Sequence, residues 1–472
     1  MKALDTTPYW TESASVPRST KIDTDERCDV LVIGGGITGL TAAYLLSNAG
    51  KSVVLLERSR LAEIDTGHTS AHLTMVIDTR LTELVKHFGR DHARAVWDAG
   101  IAAMWEIEAI AQEQKIECAF EWVPGYLHSP HSGQSGQAGQ AREFEEEAKA
   151  ARDLEFDARF VDDVPFVGGP GVRFENQARF HPRKYLSALA RVLSDRGVRI
   201  FEHSEVEEFT DEPLGAKANG CTITCGDIIV ATHTPLMGNK GIVGASLFQT
   251  KLALYTSYVV AGRIARGRVP DALFWDTADP YQYVRLDPHR DFDLVILGGE
   301  DHKTGQVTET SACYTKLESA LKRRLPDVEL THRWSGQVIE TPDGLPYIGW
   351  HAKHQFAATG FSGNGLTFGT LAAMMATDAI LGRRNPWVDL FEPARKVIHG
   401  GTWDYVTENK DYPYYMVRDR VAGAEGPTCT HMGCVTRWNK AERSWDCPCH
   451  GSRFRPNGPV ISGPAEAPLD VE

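Results

Sequence analysis

The stretch CDVLVIGGGITGLTAAYLLSNAGKSVVLLE, residues 28–57, decides the fold. An apolar run ends in glycines. A helical stretch rich in Ala and Leu follows and closes at Gly50, and a second apolar run ends at Glu57. This is a strand–helix–strand unit. Gly34, Gly36 and Gly39 form G-x-G-x-x-G, weak alone but strong between a strand and a helix with an acid ending the next strand. The glycines let backbone approach a pyrophosphate, and the helix N-terminus offers N–H groups and positive potential. Glu57 can accept hydrogen bonds from an adenosine ribose and would repel a 2′-phosphate.

Only one such fingerprint occurs. The second half instead offers ATGFSGNG, residues 358–365, again opening a helix. Two distant glycine turns can close on one long cofactor. The chain has 472 residues, so two or three domains are expected. A net charge of −13 argues against a nucleic-acid partner. No apolar run reaches the roughly 18 residues of a membrane span, and the N-terminus lacks the apolar core of a secretory signal. The expected location is the cytoplasm.

Residues 80–116 have a helical period, 128–140 read as a polar loop, and Pro182 opens a helix closed by Gly197. Residues 251–300 alternate as in an antiparallel sheet. Residues 356–382 read strand, glycine turn, helix, and 383–393 read as a linker. The last seventy or so residues, rich in Gly, Pro, Trp and Cys, read as a small β domain.

The stretches at 32–46, 53–58, 66–74, 333–349 and 358–370 resemble the flavin-dependent amine and amino-acid oxidases of the D-amino acid oxidase and glycine oxidase superfamily. The resemblance spans residues 28–395, after an N-terminal extension at 1–27. It implies an α/β, Rossmann-like FAD lobe (about 28–80, 180–240 and 330–385) and an antiparallel-sheet substrate lobe (about 81–179 and 241–329). It implies an FAD site built from Gly34, Gly36, Ile37, Thr38, Gly39, Glu57 and Arg58, the loop Gly67, His68, Thr69 and Ser70, then Val206, Ala231 and Thr232. Gly360, Gly363, Asn364, Gly365, Leu366 and Thr367 complete it, with the last helix aimed at the flavin's pyrimidine edge. There its dipole would stabilise the negative charge of reduced flavin.

One departure bears on substrate. Relatives carry G-x-R-P before T-x-D-G, and that arginine pairs with the substrate carboxylate. Here Gly336-Gln337-Val338-Ile339 puts a valine in its place, which cannot hold a carboxylate. An amine without that carboxylate fits better, unless another arginine substitutes. Arg285 is the candidate, with Tyr281 and Tyr283 near it, set against an ordinary strand-end arginine. His302 reads as a base or a polar loop residue. His68 and His72 fit flavin-loop contacts better than a metal.

Two boxes close the chain, CTHMGC at 429–434 and CPCHGS at 447–452. Two cysteines and two histidines could hold zinc, but zinc leaves Cys434 and Cys449 unused. A disulfide knot leaves both histidines unexplained. The boxes resemble those of Rieske 2Fe-2S domains, here 403–472, where two thiolates hold one iron and two imidazoles the other. The resemblance implies Cys429 and Cys447 on one iron, His431 and His450 on the other, and a Cys434–Cys449 disulfide. SGPAEAPL (462–469) resembles the proline loop covering such clusters. Ser452 can donate to a bridging sulfide. Phe454 stands where high-potential relatives have tyrosine, which lowers the expected potential. Histidine ligation still keeps it roughly 250 mV above plant-type ferredoxins, about four decades in favour of accepting an electron.

The whole resembles bacterial FAD-dependent oxidoreductases of this superfamily with a C-terminal Rieske domain. The expected function is a dehydrogenase: a C–N bond of an amine or amino-acid-like substrate is oxidised, and electrons pass from FAD to the cluster and on to an external acceptor. The alternatives are a non-catalytic flavin/Rieske relay or redox sensor, and an oxygen-using amine oxidase with a structural Rieske domain. A Rieske oxygenase needs a further His-rich iron site, and the 22 residues after His450 hold no histidine.

Overall fold

The computed structural model describes residues 6–130, 137–235, 252–395, 414–415, 418–419 and 424–471. A six-stranded sheet runs in the order Tyr347–Ala352, Gln355–Thr359, Asp227–Val230, Val30–Ile33, Val53–Leu56, Arg199–Phe201. All neighbours are parallel except the first pair. Val30–Ile33 and Val53–Leu56 are buried throughout, so they read as unbroken apolar runs. The helices Ile37–Asn48 and Gly365–Ile380 pack together. Their close approach needs Gly369, whose added Cβ would sit 2.8 Å from both Ile37 Cγ2 and Thr38 Oγ1.

A nine-stranded sheet forms the second layer, ordered Glu329–Glu340, Ala253–Ile264, Asp293–Lys303, Tyr283–Pro288, Leu273–Asp276, Glu121–His128, Gly171–Arg179, His72–Leu73, with Ala158–Val161 beside Gly171–Arg179. It is antiparallel except where Leu273–Asp276 meets Glu121–His128. Its first strand, Glu329–Glu340, had been expected with the FAD lobe. The strand Asp293–Lys303 carries a bulge. Tyr258 faces Gly299 and Thr256 faces His302, so two residues, Glu300 and Asp301, oppose Ser257 alone. Glu300 takes φ +58° there. A smaller sheet joins Glu26–Arg27, Cys221–Thr224, Leu214–Ala218 and Val206–Asp211. The C-terminal unit is a meander of Arg437–Asn439, Ser444–Asp446, Arg453–Phe454 and Val460–Ser462.

Several details differ from the sequence expectation. The helical region 80–116 is two helices, Leu81–Phe88 and Arg90–Glu113, broken at Gly89 with φ +83°. The helix after the 128–140 loop already begins at Gln137. The 383–393 linker packs: Leu390 and Phe391 are buried in a short helix, and Arg395 grips Asp343 at 2.7 and 2.9 Å. The described part of the N-terminal extension is built into the fold. Trp10 is fully buried and donates to Thr69 O at 2.7 Å, and Tyr9 donates to Asp287 at 2.6 Å. Most of 403–428, where a shortened domain base was expected, lies outside the described residues. No helix among the described residues is long and apolar enough to cross a membrane.

Candidate flavin cleft and cluster loops

The glycine turn after Val30–Ile33 opens a deep cleft between the two layers. Gly34 adopts φ +110°, and a Cβ there would lie 2.3 Å from Ala231 O. A Cβ on Gly39 would lie 1.9 Å from Gly34 O. Backbone contact therefore demands glycine at both. The cleft wall includes Gly34, Gly36, Ile37, Thr38, Glu57, Arg58, His68, Thr69, Ser70, Val206, Ala231, Thr232, Gly363, Asn364, Gly365 and Leu366. Gly39, Gly67, Gly360 and Thr367 support it from behind. A Cβ on Gly67 would meet Ala62 O at 2.5 Å and one on Gly360 would meet Thr341 Cγ2 at 2.3 Å, while Thr367 donates to Thr74 O at 2.9 Å.

Glu57 is half-buried and accepts from Gly35 N at 2.7 Å and Ser59 N at 2.8 Å, while burial pushes its carboxyl up. Neither helix start at the cleft is capped by its own N-cap side chain; Ile37 N donates to Thr66 Oγ1 at 3.3 Å, and the other first-turn N–H groups can meet an anionic or polar ligand.

The C-terminal boxes form two adjoining loops. Cys434 and Cys449 are joined in a disulfide, 2.04 Å between sulfurs, which ties the loops together. The buried Cys429 and Cys447 thiols are within hydrogen-bonding reach of each other, and that bond pushes Cys429 down. The rings of His431 and His450 lie 4.9 Å apart and nearly perpendicular. One grouping of ligating atoms among the described residues, Cys434, Cys447 and Cys449 within 4.8 Å of one another, contains the disulfide itself.

These loops sit on the cleft. Ser462, Gly463, Ala465 and Glu466 form part of its wall. Arg58 donates to Ile461 O. Gln337 donates to Gly451 O at 2.7 Å and to Thr304 Oγ1 at 3.2 Å. Gln306 donates to Pro448 O at 3.2 Å, and a Cβ on Gly305 would lie 2.7 Å from Cys447 C.

Residues 29–379 match the family of FAD dependent oxidoreductases, and residues 399–471 match the Rieske [2Fe-2S] domain. The chain belongs to the FAD-dependent oxidoreductases. It carries a C-terminal Rieske domain. YhfW of Bacillus subtilis (strain 168), whose name describes a Rieske 2Fe-2S iron-sulfur protein, is 30% identical over 98% of this chain and 96% of its own length. Gamma-glutamylputrescine oxidoreductase of Escherichia coli (strain K12) is 24% identical over 88% of this chain and 99% of its own. The crystal structure of glycine oxidase from Geobacillus kaustophilus superposes with a TM-score of 0.64 at 15% identity, covering 79% of this chain and all of that one.

The oxidoreductase binds FAD and a 2Fe-2S cluster, and its residues suit both. The crowded glycines, the two uncapped helices and Glu57 suit a dinucleotide lying along the cleft. Two thiols and two imidazoles at the tips of tied loops suit the cluster. Ser452 is within hydrogen-bonding reach of Cys429, and its Oγ accepts from Ala465 N at 3.1 Å, holding the covering loop. Phe454 is fully buried.

The proposed catalytic residues separate. Tyr283 lines the cleft: its OH lies 3.0 Å from Ser257 Oγ, and its ring fits across Gly298, where a Cβ would clash at 2.1 Å. Arg285 does not line it. It is fully buried, donating to Ala71 O at 2.5 Å and Leu286 O at 3.1 Å, over the Trp10 ring and 3.5 Å from Asp287. Burial pushes it down to about 10. It is a structural arginine, not a substitute for the missing one. His302 also faces away, 3.1 Å from Tyr258 OH and 2.9 Å from Lys303 O. Its neighbour Asp301 faces the cleft, with Asp78, Tyr281, Trp275 and His72. Sequence reasoning passed over both aspartates. Burial raises Asp301 to about 6 and Asp78 to about 7, and pushes His72 down to about 3. His68 bonds Ile64 O at 2.6 Å and forms no pair with His72.

Proposed function

We propose that the chain is a dehydrogenase that oxidises a C–N bond of an amine and delivers the electrons, by way of its Rieske domain, to an acceptor outside the chain. The observation that supports this most is the shared wall. Four residues of the Rieske covering loop line the same cleft as the dinucleotide turn, and the second cluster box rests on Gln337, beside Val338 in that wall. When bound, FAD supplies two-electron acceptance and the cluster one-electron transfer. The chain's own residues position these groups. Gln337, Gln306 and Arg58 pin the cluster domain against the cleft, and residues 462–466 narrow the access of water. Val338, where a carboxylate-binding arginine would stand, favours an amine over an α-amino acid. The relative named for gamma-glutamylputrescine points the same way, while the glycine oxidase likeness carries the fold.

The test is anaerobic mixing of the holoenzyme with a panel of amines, following flavin and cluster absorbance separately. Flavin bleaching followed by cluster reduction is expected. Flavin that bleaches while the cluster stays oxidised, with reoxidation by oxygen, would establish an oxidase with a structural Rieske domain. Flavin that bleaches with no amine would establish a relay.

A further inference from the structure

Asp301 owes its position to the bulge opposite Ser257. In a regular strand, alternation fixes which side chains face the cleft. The extra residue re-aims the pair, a recurrent use of bulges beside functional sites. Glu300 takes up the distortion at φ +58°, a conformation that costs a non-glycine residue on the order of 1–2 kcal/mol. What the strain presents is unusual. The Asp301 carboxyl is within hydrogen-bonding reach of Ser257, but its Oδ1 is sealed from solvent and has no hydrogen-bond partner, although the side chain lines a cavity. Buried carboxylate oxygens are nearly always satisfied, so a ligand group is the expected complement.

The surroundings define that group. Asp78 shares this end of the cleft and is electrostatically coupled to Asp301. Tyr281 donates to Asp78 at 3.3 Å, and its ring lies 5.7 Å from that of Tyr283. A Cβ on Gly363 would lie 3.5 Å from both Asp78 Oδ2 and Tyr281 OH, so the acidic pair borders the turn opening Gly365–Ile380. Among the described residues of the wall the only Arg or Lys side chains are Arg58 and Arg60. Arg58 sits beside Glu57 and bonds Ile461 O, and Arg60 is paired with Glu202 at 2.9 Å. An amino acid's carboxylate placed near Asp301 would meet two acids and no cation. A protonated amine would meet two carboxylates and two tyrosine rings.

We propose that Asp301 and Asp78 form the cation-recognition site for the substrate, which is therefore an alkylamine or diamine bearing no carboxylate next to the reacting carbon. This rests on the dehydrogenase reading. Asp301 is the specificity-determining residue, Asp78 sets the charge of the site, and Tyr281 and Tyr283 are its aromatic walls.

The experiment titrates the FAD- and cluster-loaded enzyme with two unreactive probes, benzyltrimethylammonium and benzoate, reading the flavin absorbance change. It is repeated with Asp301→Asn and Asp301→Glu. The cation is expected to bind and benzoate not. Asp301→Asn should weaken the cation on the order of ten- to a hundredfold, and Asp301→Glu should recover most of it. Flavin content should be unchanged in both. Benzoate binding in preference to the cation, an unchanged cation affinity in Asp301→Asn, or loss of flavin from that variant would each overturn the assignment. Because the probes do not react, this outcome is separate from the amine panel. Amines can reduce the flavin while Asp301 proves irrelevant, which would sink only this proposal.

Discussion

Replacing Gly305 by alanine should uncouple flavin reduction from cluster reduction. A Cβ at this position would lie 2.7 Å from both Cys447 C and Pro448 N and 3.0 Å from Asp446 O. All three are backbone atoms, two in the second cluster box and one in the residue just before it, so no flexible side chain can move aside. Ordinary contact begins at 3.4 Å, so the box must withdraw by about 0.7 Å or more. Gly305 also sits at φ +77°, which costs alanine ~1–2 kcal/mol. The hydrogen bonds that cross this seam include Gln306 to Pro448 O, Gln337 to Gly451 O and Arg437 to Gly305 O. Each contributes about 0.5–1.5 kcal/mol net. Weakening them together costs on the order of 2–4 kcal/mol of docking, or about thirty- to a thousandfold in the docked fraction. The assay is anaerobic stopped flow with a reducing amine. Flavin should still bleach, since Gly305 itself is not among the residues of the cleft wall. Cluster reduction should slow at least tenfold. Gly267→Ala is the control, with φ +74° and nothing within 4 Å. Wild-type cluster reduction in Gly305→Ala, or flavin reduction lost with it, would refute the docking geometry.

Trp10→Ala should cost about 3–5 kcal/mol and loosen the loop that Trp10 holds at Thr69 O; thermal unfolding monitored by flavin release measures both. Glu57→Ala removes the acceptor beside the glycine turn and should weaken FAD binding on the order of tenfold or more, read by flavin fluorescence during dialysis. Burial raises Asp301 and Asp78 to about 6 and 7. A cation needs them ionised, so kcat/KM for amines should fall as pH drops through that range, and Asp301→Asn should shift the limb. The stability sign is opposite. Raised carboxyls hold their protons in the fold, so their contribution is greatest near pH 4 and is lost as pH rises through about 6–7.

Contiguous motifs were legible from sequence because their physics is local. Gly39 is fixed by a contact with Gly34 O inside its own turn, and each of the two boxes carries its donors within a few residues. Longer-range features were not. Arg285 shares a strand with Tyr283, two residues away, yet only its packing on Trp10 and Ala71 shows that it stays out of the cleft wall. His302 was singled out and Asp301 passed over, a miss of one residue. Both lie beside the bulge, and positive φ at Glu300 leaves no mark in an alternation pattern. Asp78 meets Asp301 across more than two hundred residues of chain, and no spacing encodes that. Trp10 belongs to a segment too short and aperiodic to read as structure before its partners are known.

The contribution of residues 462–466 to the cleft has a consequence for biogenesis. Were the C-terminal loops to take shape only around iron, a polypeptide that received FAD first would hold the nucleotide in a trough lacking the side that residues 462–466 supply. Iron starvation of the producing cell would then surface as shed flavin, and the yellow colour of the purified protein would report on iron delivery as much as on vitamin supply.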